Sequence, residues 1–301
     1  MASDRPFRRQ AIKLLARVLL GGRRAHYHSW LPSLTIAGRS GGHPGKVKFR
    51  GGIDFPLRDI CSLSERAGER IVIIGSGPSV KGAELSSLPE RSALLLNGAI
   101  SLIGQIREPL AVAIEDERFV WRHFGLMRER MTRREVPLLL SPGVMRAICE
   151  LDIDLLRDRP IILIDDIRKP YGLPRRDKAA LTGFDFVVLE AEAGFSADPD
   201  QGVFQGGSVA ISALQFALAT GAREIGFLGV DITNANAPRF YEKEGNVAYS
   251  GIAGAEARIL AHIGLARDAA EAMGVRLSNH SQVSALRSIG LDYRPLDQTV
   301  S

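Results

Sequence analysis

From Arg70 onward the chain alternates short, unbroken apolar runs with longer stretches in which apolar residues recur every three or four positions. The runs are IVIIG (71–75), SALLLN (92–97), LAVAIED (110–116), VPLLLS (136–141), RPIILID (159–165) and EIGFLGVDI (224–232), and a short strand is expected at VRLSN (275–279) after the last helical stretch. Apolar runs this short and without alternation predict strands buried on both faces. The intervening periodicity predicts helices over FVWRHFGLMRERM (119–131), SVAISALQFALATG (208–221), stopped by Gly221, and AEARILAHIGLARDAAEAMG (255–274). Strands alternating with helices predict an α/β fold: a Rossmann-like, mostly parallel sheet with helices on both faces. Ligands of such sheets bind beyond the carboxyl ends of the strands. No internal repeat is visible.

The first 60 residues read differently. FRRQAIKLLARVLL (7–20) predicts a basic amphipathic helix, with Ile12, Leu14, Leu15, Val18 and Leu19 on one side and Arg8, Arg9, Lys13 and Arg17 supplying charge. Gly21-Gly22 would stop it. Residues 38–58 are rich in Gly and Pro and predict a linker or loop. The division expected is therefore a basic N-terminal arm and linker (1–60) and a Rossmann-like domain (61–301). Charge follows it: residues 1–70 hold 14 Lys/Arg against 5 Asp/Glu, although the whole chain is only +5. Basicity confined to one end argues against nucleic acid as a partner and predicts an arm seeking an anionic surface, with peripheral contact to a membrane through the helix. No apolar run is long enough to span a bilayer. Cys61 and Cys149 match no metal or redox spacing and predict free thiols and a cytoplasmic location.

The first strand runs into Gly75-Ser76-Gly77-Pro78-Ser79. A dinucleotide fingerprint would need a third glycine where Val80 stands and an acid at the end of the second strand, where Asn97 stands. No Gly-Lys-Ser/Thr follows, so it is not a P-loop either. What remains is a tight turn whose amides and serines suit one phosphate, with Asn97 able to pair with an uncharged base or ribose edge. Three further stretches carry candidate chemistry. Glu115, Asp116 and Glu117 end the third strand, next to Arg118, whose planar fork suits a carboxylate or phosphate. Gly206, Gly207 and Ser208 open a long helix and offer a second anion site, Ser208 as N-cap. Asp231 ends a later strand, followed by Thr233, Asn234, Asn236, Arg239, Tyr241 and Tyr249 in a long loop. Asn279, Ser281 and Ser284 are expected to close the pocket on a base or ribose.

Taken in order, Ser76-Gly77-Pro78, Asn97-Gly98, Asp116-Glu117-Arg118-Phe119, Gly229-Val230-Asp231-Ile232-Thr233 and Arg239-Phe240-Tyr241 resemble the lipopolysaccharide-core Kdo transferases of the WaaZ type. These are related to the bacterial CMP-sugar transferases of the sialyltransferase type. The segment GFSADPDQG (194–202) is similar too, and the resemblance spans about residues 70–290. It implies a glycosyltransferase that moves Kdo or a related acidic sugar from CMP to a lipopolysaccharide-core or other glycolipid acceptor, at the inner face of the cytoplasmic membrane. It implies no metal and no cofactor beyond the CMP-sugar donor substrate. The turn 75–79 would hold the donor phosphate, Asn97 the cytidine, and Tyr241 and Tyr249 the leaving group. Sialyltransferase-type enzymes use a histidine after the loop as base, but YSGIAGAEAR (249–258) has none, and His262, in mid-helix near Ile259 and Ile263, is expected to be a packed or a surface histidine and not a base. Asp116 or Asp231 would then serve as base, Asp116 first. Two other readings fit less of the pattern: a diphosphokinase-like enzyme of the archaeal pterin type, and a non-catalytic glycolipid-binding assembly protein.

Overall fold

The computed structural model describes residues 5–39, 43–232 and 255–296. The central sheet uses the apolar runs in the expected way. Strands β4 (Arg70–Ile74), β5 (Ala93–Leu96), β6 (Pro109–Ile114), β7 (Leu138–Leu140), β8 (Ile161–Leu163), β11 (Glu224–Leu228) and β12 (Arg276–Asn279) form one parallel sheet in the order β12-β11-β4-β5-β6-β7-β8. Successive side chains alternate between two cores. Val72, Ile74, Leu95, Val112 and Ile114 pack with helices α3 (Glu117–Arg130) and α4 (Pro142–Leu151). Ile71, Ile73, Leu94, Leu96, Ala111 and Ala113 pack with α6 (Val209–Ala219) and α7 (Glu256–Ala272). The short helices α2 (Cys61–Ser64) and α5 (Lys178–Leu181) and a hairpin of β9 (Val187–Glu190) and β10 (Ala193–Ser196) complete this part. The chain runs outward from β4 to β8, then returns to β11 on β4's other side. The strand order therefore reverses between β4 and β11, where the carboxyl ends open a crevice.

The N-terminal region differs from the linker expected at 38–58. Strands β1 (Leu34–Ala37), β2 (Lys46–Phe49) and β3 (Ile53–Pro56) form a three-stranded antiparallel sheet. Leu34, Val47, Phe49, Phe55 and Leu57 join Trp30 in the same core as the central sheet. Arg58 N donates to Ile161 O (2.7 Å), so the region covers the β8 edge that would otherwise be open. The expected helix is present as α1 (Phe7–Arg24), with non-helical geometry at Gly21 where the stop was read. α1 rests on Arg9 and Ala16, and most of its other residues, apolar and basic alike, are exposed. Arg9 is buried, donating to Leu31 O (2.8 Å) and to His28 O, while Phe7, Leu14, Val18 and Leu19 are 64–85% exposed. No helix among the described residues is long and apolar enough to cross a membrane. Both cysteines are free thiols.

Candidate functional site

The crevice at the reversal point widens into a cavity of about 630 Å³. Its floor is the row of strand ends. Ser76 follows β4, Asn97 β5, Glu115 β6, Ser141 β7, Asp165 and Asp166 β8, and Asp231 β11. The amino end of α6 (Gly207, Ser208, Val209, Ala210) closes one side, and Lys13, His28 and Trp30 from the N-terminal region close another.

The Gly-Ser-Gly-Pro-Ser turn is built by close approach. A Cβ on Gly75 would overlap Gly229 O and come within 2.9 Å of Gly229 C, and one on Gly77 would come within 2.6 Å of Asp231 Cγ. Their absence lets the tips of β4 and β11 touch. Three of the turn's amides are used for that contact: Gly75 N donates to Leu228 O (2.8 Å), Gly77 N to Gly229 O (2.8 Å) and Ser79 N to Asp231 Oδ2 (2.7 Å). The expected cradle of free amides is thus reduced to Ser76, and Ser79 does not line the cavity. The turn continues into a single 3₁₀ turn (Pro78–Val80), so no helix dipole backs it. At the second expected anion site, the start of α6, Ser208 caps Ala210 N (3.3 Å) and Arg258 lies alongside, donating to Gly206 O (2.9 Å). Gly206 itself is set back from the cavity wall.

Asn97 stands in the left-handed region (φ 45°), which asparagine tolerates better than most residues. Its Oδ1 is buried and has no hydrogen-bond partner among the described residues. Asp231 is also mostly buried; its Oδ2 holds Ser79 and its Oδ1 is buried without a partner among the described residues. Asp116 caps α3, accepting from Arg118 N (2.9 Å) and Arg118 Nε (2.6 Å), and pairs with a second nitrogen of the same guanidinium. Burial raises the Asp116 carboxyl, but Arg118 and the more distant Arg5 outweigh it and hold it below its ordinary value. Such a carboxylate is a poor proton acceptor, and the fork of Arg118 already grips it. Glu117 lies between Arg5 and the fully buried Arg146, which also donates to Ser29 O (2.8 Å) and Glu150 (2.8 Å). These bonds root the N-terminal segment beside the site.

Glu115, adjacent to the residue expected to act, has a different environment. Its Oε2 accepts from Ser212 Oγ (2.6 Å) on α6, and its backbone carbonyl accepts from Ser141 Oγ (2.7 Å). Burial drives its carboxyl up to about 8; Asp166 and Asp116 add to the rise, while the Ser212 hydrogen bond and Lys169 oppose it. Strand parity could have singled it out: 111, 113 and 115 share the face that packs on α6. His28 also reaches the cavity, from a segment with no motif to mark it. Burial lowers it to about 4, with Lys13, Arg5 and Arg9 adding to the effect against Glu117.

His262 is packed, one of the two placements expected for it, 3% exposed, with Nδ1 against Arg258 O (2.8 Å). Asn279, Ser281 and Ser284 do not reach the pocket. They are buried behind the β11 tip, where Ser281 Oγ accepts from Gly229 N (2.8 Å) and Ser284 Oγ donates to Val230 O (2.9 Å). Thr233, Asn234, Asn236, Arg239, Tyr241 and Tyr249 lie outside the described residues.

No protein-family model matches the chain, and no curated protein matches it. Among solved structures it is similar to the sialyltransferase CstII from Campylobacter jejuni in complex with the substrate analogue CMP-3FNeuAc, at 16% identity, over 77% of this chain and 88% of that one, with a TM-score of 0.39. The sialyltransferase CST-II in complex with trisaccharide acceptor and CMP gives 15% identity, 77% and 89% coverage and a TM-score of 0.41. An α-2,3-sialyltransferase from Campylobacter jejuni in apo form gives 13%, 77%, 83% and 0.35.

Proposed function

We propose that the protein is a glycosyltransferase that moves Kdo or a related acidic sugar from its CMP carrier to a glycolipid acceptor such as the lipopolysaccharide core. The observation that carries this reading is the meeting, around one cavity of about 630 Å³, of Ser76, Asn97 and the amino end of α6. The volume suits a sugar nucleotide. Asn97 would pair with the cytosine edge. With most of the 75–79 amides engaged, the donor phosphate and sugar carboxylate would rest on Ser76, on Gly207 and Ser208 at the α6 amino end, and on Arg258. Tyr241 and Tyr249 keep the leaving-group role that the family resemblance implies. The reading includes no metal. The exposed apolar face of α1, flanked by Lys13 and Arg17, would lie on an anionic bilayer at the membrane's inner face and hold the cavity near its lipid acceptor.

The testing experiment is thermal unfolding with CMP, UMP, ATP plus Mg²⁺, and NAD in parallel. A ligand at about 100 times its Kd stabilises the folded state by about 2.7 kcal/mol. CMP should raise the melting temperature and UMP should do so less, since Asn97 reads the base. A rise with ATP plus Mg²⁺ and none with CMP would replace this reading with the diphosphokinase one.

A further inference from the structure

We propose that Glu115 is the general base of this site, taking the acceptor hydroxyl's proton on Oε1 while Ser212 holds Oε2. The proposal rests on the glycosyltransferase reading. Six carboxylates line the cavity among the described residues. Four are paired with cations: Asp116 with Arg118, Glu117 with Arg5 and Arg146, Asp165 with Arg39, and Asp166 with Lys169 (3.4 Å). Asp231 is tied to Ser79 N through one oxygen, and its other is buried. Glu115 also stands on the cavity wall with one oxygen clamped by a neutral donor, and what separates it from Asp231 is its second oxygen, which has no partner among the described residues and, unlike Asp231 Oδ1, is not buried.

The clamp is specific. Ser212 is fully buried on a helix whose other buried polar side chain, Gln215, is occupied with Ser196, Phe204 and Ile211. A hydroxyl in that position serves the carboxylate. The charged and titratable groups that line the cavity with Glu115 are Asp116 on its own segment, Glu117, Arg118, Arg122 and His123 on α3, Asp165, Asp166 and Lys169 after β8, Asp231 after β11, Arg258 on α7, and Arg5, Lys13, His26 and His28 from the N-terminal region; of these Asp166, Asp116 and Lys169 act on its carboxyl. Burial and the two nearby aspartates bring its carboxyl to about 8, close to working pH, where a base is most effective. His28, lowered to about 4, is a much weaker base.

In the step, the acceptor oxygen bonds to the anomeric carbon as its proton passes to Glu115. The bond from that carbon to the phosphate oxygen breaks, its electron pair leaves on CMP, and Glu115 later returns the proton to water.

The test compares wild type, Glu115→Gln and Ser212→Ala, using calorimetry with CMP, turnover of CMP-Kdo with water as acceptor, and infrared difference spectra that read the carboxyl directly. Glu115→Gln should bind CMP within about threefold of wild type and lose about 100-fold or more in turnover. Wild-type turnover should rise with pH to a midpoint near 8. Ser212→Ala removes a bond that favours the charged form and should move the midpoint upward. Glu115→Gln retaining turnover, a flat wild-type profile, or a carboxyl band at 115 that titrates below about pH 6 would overturn the proposal. The infrared reading holds whatever the donor. Failure of wild type to bind CMP would overturn the glycosyltransferase reading instead.

Discussion

At the scale of single residues, the glycines of the first turn serve chain-to-chain approach more than ligand approach. Gly75 and Gly77 let two strand tips meet that are about 150 residues apart in sequence, and three amide hydrogen bonds depend on that meeting. A methyl group at Gly75 meets the backbone of Gly229, which cannot swing away as a side chain could. Gly75→Ala should therefore destabilise the protein by about 1–3 kcal/mol, as overpacking does, and weaken CMP binding by spoiling the floor beneath Ser76. Gly68→Ala, with nothing near its Cβ and an ordinary φ, should stay within about 0.5 kcal/mol of wild type. Urea midpoints for the two variants decide the matter; equal midpoints would mean that the tips are not packed as described. The turn's place in the fold was legible from IVIIG followed by glycines. Its use was not, because the partner that occupies its amides lies on β11, and nothing local announces which strands will be neighbours.

Among the secondary-structure elements, β4, β5, β6, β7, β8 and β11 could be read because burial on both faces leaves an apolar signature, and β12 (RLSN) from its place after the last long helix. β2 and β3 could not, because KVKF and IDFP are four residues long, carry charge and sit among glycines. The start of α4 was readable in principle: Ser141 caps it and Pro142 occupies its first turn, a common helix opening that is easily mistaken for a break. The helix at 7–20 was legible, and the membrane contact expected of it needs its apolar side turned outward, as Leu14, Leu15, Val18 and Leu19 are; the burial of Arg9 against two carbonyls was not legible. Leu15 and Leu19, 55% and 76% exposed, stabilise little in the free protein. On a bilayer each would contribute on the order of 1–2 kcal/mol of burial. The double variant Leu15→Asp/Leu19→Asp should therefore melt within a degree or two of wild type yet lose about tenfold or more in co-sedimentation with vesicles containing anionic phospholipid. Unchanged pelleting, or equal wild-type pelleting with purely zwitterionic vesicles, would remove the membrane from the reading.

Over the whole molecule, burial sets opposing pH limits. His26, His28, His262 and His280 are all lowered by burial, so the unfolded chain takes up more protons than the folded one as pH falls below about 6.5, and stability drops on the acid side. Glu115 acts in the other direction. Its carboxyl is raised from 4.5 to about 8, so its neutral form is the one the fold tolerates; its contribution is complete below 4.5 and is lost as pH rises through 8. Asp165 and Asp200, raised mainly by burial, act in the same sense from lower pH. Stability should therefore peak near pH 6.5 and fall by about 2 kcal/mol by pH 8 through Glu115 alone, at about 1.4 kcal/mol per pH unit. Glu115→Gln should flatten that alkaline fall and, because the same contribution slopes from 4.5 upward, steepen the acid side by up to about 1.4 kcal/mol per pH unit, as measured by urea unfolding between about pH 5 and 9. Parallel wild-type and variant curves above 6.5 would show that the carboxyl ionises without cost, and the matched base would be lost with it. If the slopes appear as expected, one carboxyl makes the protein less stable and more active over the same pH interval. Ionising Glu115 inside the cavity is unfavourable for the fold, and that same unfavourable state is the one able to accept the acceptor's proton.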